Sequence, residues 1–159
     1  MKHYKSIADY KSANGLTPPE ERLVAACRNG EPCPISDTRP ESLTTETTIR
    51  ADLLAFLISG KDSFENPRPH SLLLSGANIV GDLDLSYTSF FGDIRLHRCV
   101  FHNRILAIRA KSNLLSLEGS YLSGLTADGT KFSSSVYLTQ DFRSTRQVSF
   151  AGAGQSRLA

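Results

Sequence analysis

Leu72-Leu73-Leu74-Ser75-Gly76-Ala77-Asn78-Ile79-Val80-Gly81-Asp82-Leu83-Asp84-Leu85-Ser86 is the stretch from which the fold is read. It recurs in degenerate form down to Ala153. Steps of about 21 to 22 residues superpose Leu74, Leu96, Leu117 and Leu138, and likewise Leu72, Ile94, Leu115 and Val136. Two looser columns follow: Leu83, Leu106, Leu125 and Val148, then Leu85, Ile108, Ala127 and Phe150. A period in this range marks a stacked solenoid, in which each unit buries its apolar face only against its neighbours.

A finer beat runs inside each period. Apolar centres fall at Leu74, Ile79, Leu85, Phe90, Leu96 and Phe101. Two residues before each centre stands a second inward residue, small at Ala77, Thr88, Cys99, Ser120 and Thr130. The residue between them is mostly polar and is expected to face water: Asn78, Asp84, Ser89, Arg95, Ser116 and Thr126. Alternation of this kind is strand-like, but a break every five or six residues forbids a long strand. Four short sides therefore make a coil of about 21 residues, and neighbouring coils pair in parallel at about 4.8 Å. Three to four coils give a stack roughly 17 Å tall. The expected class is mainly β: a short right-handed parallel β-helix with an N-terminal helical cap.

Outward from this core, residues 1–70 read as an arm and a two-helix cap, and 71–159 as the solenoid, the whole one folding unit. Thr17-Pro18-Pro19-Glu20 carries a capping box with proline at the first helical position, and Gly30 closes that helix. The proline-containing stretch 30–41 reads as a loop. Ile49, Leu53, Phe56 and Leu57 share one face of a second helix, stopped by Gly60 and followed by a linker over 61–70. This apolar helix is expected to plug the N-terminal mouth of the stack, whose backbone groups otherwise lie unpaired. Leu73, an outward leucine, needs cover from the same region.

The repeat resembles the pentapeptide-repeat right-handed β-helices. It is more closely similar to a family of degenerate, uncharacterised bacterial repeats of the form "GA.I.GDLDLS." preceded by a "TIRAELLR.LL" helix. Gly76 to Ser86 and Thr48 to Leu54 carry that likeness, which extends over roughly residues 16 to 153. Some members bear the label membrane-associated oxidoreductase, for which no cofactor motif is present here. Larger relatives continue into more coils or membrane segments. This chain has neither, so a membrane role does not carry over.

The register falters twice. Near Arg104 to Leu114, Lys111 and Asn113 occupy inward positions, so a bulge is needed to turn Leu114 in. Near Thr139 to Gln147, Asp141 and Arg143 fall inward; either the segment bulges out with Phe142 turned in, or the charges form a buried pair, which is costly unless matched. The stack is expected to end in an open coil that invites another protein or a second copy of the chain.

Net charge is +2, which sets aside both an acidic nucleic-acid mimic and a strongly basic binder. No apolar secretory segment and no membrane-length run occurs, and three cysteines (Cys27, Cys33, Cys99) form no framework, so the expected compartment is the cytoplasm. His97, Cys99 and His102 have the types of a metal site, but Cys99 faces inward and both histidines outward. No metal, cofactor or catalytic residue is assigned, and no nucleophile elbow, P-loop or dinucleotide fingerprint is found.

The candidate interaction surface consists of Arg95, His97, Arg98, His102, Arg104, Arg109 and Lys111 on the second coil, with Tyr87, Tyr121 and Tyr137. The leading expectation is a non-catalytic protein–protein interaction module, such as a small inhibitor or adaptor, since repeat stacks offer extended faces and aromatic and arginine residues dominate interfaces. One form of it is a small inhibitor of a host or phage complex. Nucleic-acid association through the basic coil is the first alternative. A carbohydrate-active β-helix enzyme is the second; it needs paired carboxylates, for which Asp82, Asp84 and Asp93 are the only cluster.

Overall fold

The structure is a computed structural model that describes residues 4–59, 71–90 and 92–158, with side chains described as far as residue 154. It is a parallel β-solenoid of about four turns with three short helices at its N-terminal end.

The chain opens with α1 (Ile7–Asn14), whose N-terminus is capped by the Ser6 side chain accepting from Asp9 N. Next comes α2 (Pro18–Asn29). Its capping box forms as read: Glu20 N donates to Thr17 Oγ1 at 3.4 Å and Thr17 N donates to Glu20 Oε1 at 3.0 Å. The stretch read as a plain loop contains β1 (Cys33–Pro34), and Thr48–Arg50 is a strand, β2, so the next helix, α3, spans Ala51–Ser59 rather than starting at Ile49. Thr48 and Ile49 are β-branched, and their backbone groups find a parallel partner strand instead of a helical turn. Gly60 and the expected linker 61–70 lie outside the described residues.

The coils follow in order. The first holds β3 (Leu72–Ser75), β4 (Asn78–Val80) and β5 (Leu83–Asp84). The second holds β6 (Asp93–His97), β7 (Val100–Phe101), β8 (Ile105–Leu106) and β9 (Lys111–Ser112). The third holds β10 (Leu114–Ser116), β11 (Tyr121–Leu122) and β12 (Leu125–Thr126). A longer strand, β13 (Lys131–Tyr137), closes the third coil and opens the fourth, which continues with β14 (Arg143–Ser144), β15 (Val148–Ser149) and β16 (Gly154–Leu158).

Three parallel sheets run up the stack: β1-β3-β6-β10-β13-β16, with β9 also on β13; β2-β4-β7-β11-β14; and β5-β8-β12-β15. β1 and β2 are thus two sides of an incomplete turn laid on the first coil. α3 packs against β5, where the third side of that turn would fall, and its Leu53 and Leu54 are fully buried. Backbone pairing covers the mouth on two sides, and apolar packing covers it on the third.

The columns hold with one correction. Leu72, Ile94, Leu115 and Val136 stand in register, as do Leu74 and Leu96. In the third sheet the partner of Leu83 and Leu125 is Ile105, not Leu106, and Ala107, not Ile108, is the buried neighbour of the next column. Leu106 stands outward opposite Asp84. The small inward residues Ala77, Cys99, Ser120 and Thr130 are buried, whereas Thr88 is half-buried and donates to Leu85 O at 2.6 Å.

Corners repeat as strictly as sides. Arg98 and Arg109 turn in the left-handed region, at φ 51 each. Their amides bond the next coil, to Glu118 O at 2.9 Å and Asp128 O at 2.8 Å. The bends of the next coil that they overlie are Gly119 and Gly129, where a Cβ would come within 3.1 Å of the arginine Cγ atoms. Glycine there lets the arginine stems lie flat over the backbone.

Both register faults resolve. Lys111 is exposed and Ala110 and Ser112 point inward; Leu115, in register with Ile94, takes the inward position expected of Leu114, which is buried opposite Asp93 outside the core cluster. Asp141 and Arg143 are exposed while Phe142 packs on the core, and Arg143 stands outward in register with Tyr121, so no buried ion pair forms.

A buried charged contact ties α2 to the junction of β2 and α3. Glu20, fully buried, takes Arg50 Nη2 at 2.7 Å, Nε at 2.9 Å and the Arg50 amide at 3.0 Å. Burial works against the Glu20 carboxylate, but the Arg50 and Thr17 hydrogen bonds outweigh it and hold its pKa below the ordinary 4.5. The stabilisation is therefore complete above that ordinary value and drains away as pH falls through the depressed one. Glu20→Gln should lower stability by about 2–3 kcal/mol at pH 7 in urea denaturation, and the gap to wild type should close on acidification below 4.5.

Ser112 Oγ is buried with no hydrogen-bond partner among the described residues, beside an apolar void of about 20 Å³. A hydroxyl in that position costs its desolvation, so Ser112→Ala should raise the urea midpoint, by about 1 kcal/mol of stability.

Candidate functional site

The segment after β1 runs as a strap along the outside of the corner between the first and second sheets. Ile35 N donates to Ser75 O at 2.9 Å, and Ser36 Oγ donates to Gly76 O at 2.6 Å. Gly76, at φ +69, lies so close beneath Ser36 that a Cβ would overlap the Ser36 backbone. Further on, Asn78 Nδ2 donates to Ser42 O at 3.0 Å and Thr47 Oγ1 at 2.7 Å. Asn78, expected to face water, is therefore buried under the strap, and its Oδ1 meets His102 Nε2 at 2.8 Å.

Between those two anchorages, residues 37–41 bridge a cleft of about 750 Å³. Its floor is His97, Arg98, Val100, Glu118, Gly119, Tyr121 and Gln140. From residues 37–41 the Arg39 side chain crosses to the solenoid. Its Nη1 donates to Gly119 O at 2.7 Å and its Nη2 to Tyr121 Oη at 2.6 Å. The guanidinium lies 3.5 Å from the Tyr121 ring centroid, and Nη2 reaches Asp141 Oδ2 at 3.3 Å. Asp141 gives its other oxygen to Arg143 at 3.1 Å. Cation–π contact and a charge-assisted hydrogen bond act on the same group.

The remaining charges of the cleft are uncommitted. Asp37, Glu41, Glu118 and Arg98 make no ion pair among the described residues. His97 is half-buried and shares a 2.8 Å hydrogen bond with Ser116 Oγ. Burial pushes its imidazole below the ordinary 6.5; Glu118 opposes this, and Arg95 and Arg98 add to it. Ser116, also expected to face water, is buried between Arg95 and Tyr137 in register, so of this pair only His97 reaches the cleft.

The surface read from the sequence does not form one patch, because a coil carries its residues around every side. Arg95, His97 and Arg98 lie at the first corner, and Arg95 pairs with Asp93 at 3.4 Å. His102 and Arg104 lie at the second; Arg104 N donates to Asp82 Oδ1 at 3.2 Å. Arg109 and Lys111 lie at the third, where Lys131 stands in register with Lys111. Tyr87 is 73% exposed at that corner, at φ 59, and its amide donates to Ile108 O at 2.9 Å. Tyr121 and Tyr137, read as exposed, are half-buried, Tyr121 under Arg39.

The sequence therefore places Arg98, His97 and Tyr121 at the cleft but misses Asp37, Arg39, Glu41 and Glu118. Glu118 had a signal, as the residue one period after His97. The strap had none. Among the described residues no group of acidic residues, histidines and cysteines has the arrangement to hold a metal ion, and no helix is long and apolar enough to cross a membrane. The cysteines are free thiols; burial pushes Cys27 and Cys99 each up to about 12. No protein-family model, curated protein or solved structure matches the chain.

Proposed function

We propose that this protein is a non-catalytic docking module, a right-handed solenoid of the pentapeptide-repeat kind that receives a loop of a partner protein in the strap-roofed cleft. The handedness follows the general preference of parallel strand crossovers. The observation that carries the reading is the cleft itself: about 750 Å³, with four charged side chains that have no ion-pair partner among the described residues. Folded proteins tend to pair the charges they partly cover, and charges held open on a rigid floor supply orientation and specificity to an incoming surface. Parallel ladders beneath the floor give the stiffness that keeps the cost of association low.

Arg98→Asn, which suits the left-handed corner and keeps its amide bond to Glu118 O, combined with Glu118→Gln removes both signs of charge and gives up only the Arg98 stem over Gly119. Immobilised wild-type protein should retain a defined protein from the lysate of its native cells, and the double variant should lose most of it. Identical retained sets for the two would end this reading.

A second reading rests on the third corner. Tyr87, Arg109, Lys111 and Lys131 put an exposed ring beside three cations, the elements of a platform for single-stranded nucleic acid. In that case oligonucleotide retention should be strongest in low salt and fall in Lys111→Glu/Lys131→Glu. Absence of retention even in low salt removes this alternative.

A further inference from the structure

The cleft already shows how it treats one kind of side chain. Arg39 comes from the strap, 80 residues before the carbonyl that receives it. It is held as a ligand is held: stacked on Tyr121, with one nitrogen on the Gly119 carbonyl and another shared between Tyr121 Oη and Asp141. Planar stacking together with donation at both ends of the fork is specific to a guanidinium, and a lysine ammonium cannot reproduce it. All the receiving groups belong to the third and fourth coils, whose backbones are fixed by the parallel ladders. The strap is not fixed in this way. Between the Ser36 and Ser42 anchorages its backbone makes no hydrogen bond to the solenoid among the described residues, and Arg39 supplies the polar tie there.

We propose that Arg39 is an internal stand-in, and that the site of Tyr121, Gly119 O and Asp141 is an arginine-specific receptor for the partner's loop. This rests on the docking reading above and names the residue that the partner presents. In the resting protein Arg39 fills the receptor and draws the strap across the cleft. A partner's arginine displaces it, the strap lifts, and the cleft opens to the rest of the loop. Glu118 of the floor, which has no ion-pair partner among the described residues, then lies beside a basic segment. The apparent affinity of the resting protein is reduced by the fraction of time the receptor is vacated.

The test uses the full chain and two short probes, acetyl-Gly-Arg-Gly-amide and acetyl-Gly-Lys-Gly-amide, followed by amide NMR shifts. Arg39→Ala should bind the arginine probe at least about tenfold more tightly than wild type does. Shifts should centre on Gly119 and Tyr121, and the lysine probe should produce little. Adding Tyr121→Leu to Arg39→Ala should abolish the effect. Arg39→Lys keeps the charge and stem while losing the planar fork, and should fall between wild type and Arg39→Ala; it serves as well if Arg39→Ala fails to fold by circular dichroism. Equal binding by wild type and folded Arg39 variants, no binding by any of them, or equal response to the two probes overturns the proposal. If the Arg98/Glu118 double variant still loses its captured protein while these peptides fail, docking stands and the arginine receptor alone falls.

Discussion

Parallel stacking fixes who touches whom in this molecule: each side chain has its nearest neighbours one coil away, about 21 residues along the chain in either direction. A coil can join the stack only if its sides and its bends repeat the positions beneath. The bends are the harsher demand. Arg98 and Arg109 adopt a backbone region that disfavours side chains, at roughly 1–2 kcal/mol each. They persist because each corner amide is bonded to the coil beside it and each overlies a glycine that leaves room for its stem. Two of the cations that look in the sequence like a binding surface are thus also covers for bare backbone.

The ends of such a stack need different chemistry. At the N-terminal mouth the chain lays down two short strands and then abandons the pattern for α3, whose leucines fill the opening. Pro34 is tolerated in β1 because that strand is the outermost of its sheet, where one row of amides needs no partner. The Glu20–Arg50 contact then joins α2 to the junction of β2 and α3. A single buried carboxylate performs two tasks there, closing its own helix and fixing the entry to the plug.

Sequence reading succeeded where a residue's environment depends on its own periodicity. Leu72, Ile94, Leu115 and Val136 could be aligned because inward positions must be apolar in every coil. The reading slipped by one residue at Ile105 and Ala107. Ile105-Leu106 offers two adjacent apolar candidates, and only the ladder decides which faces in. Asn78 and Ser116 were misjudged for a different reason. They do point out of the tube, but the strap covers the first and flanking side chains the second, and nothing in the local pattern records a cover arriving from elsewhere. β1 was hidden by its prolines and its brevity. The repeat period led to the architecture and gave no pointer to the cleft.

A uniform solenoid has no privileged place on its surface, since every coil offers much the same faces as the next. Selectivity requires something that breaks the repeat. The strap is the irregular element laid against the outer faces of the stack, and the cleft exists because this segment stands off between two anchorages. Arg39 connects the irregular part to the regular one, reaching a carbonyl of the third coil and a carboxylate of the fourth. Two of the groups that receive it cannot follow if it leaves, because Tyr121 is paired on both sides and Gly119 N is bonded to Thr139 O, while Asp141 stands exposed beside them. Release of Arg39 therefore leaves a preformed site rather than a collapsed one. That asymmetry, a movable arginine against an immovable receptor, is the physical reason to place recognition at this corner and not along the broader basic second coil.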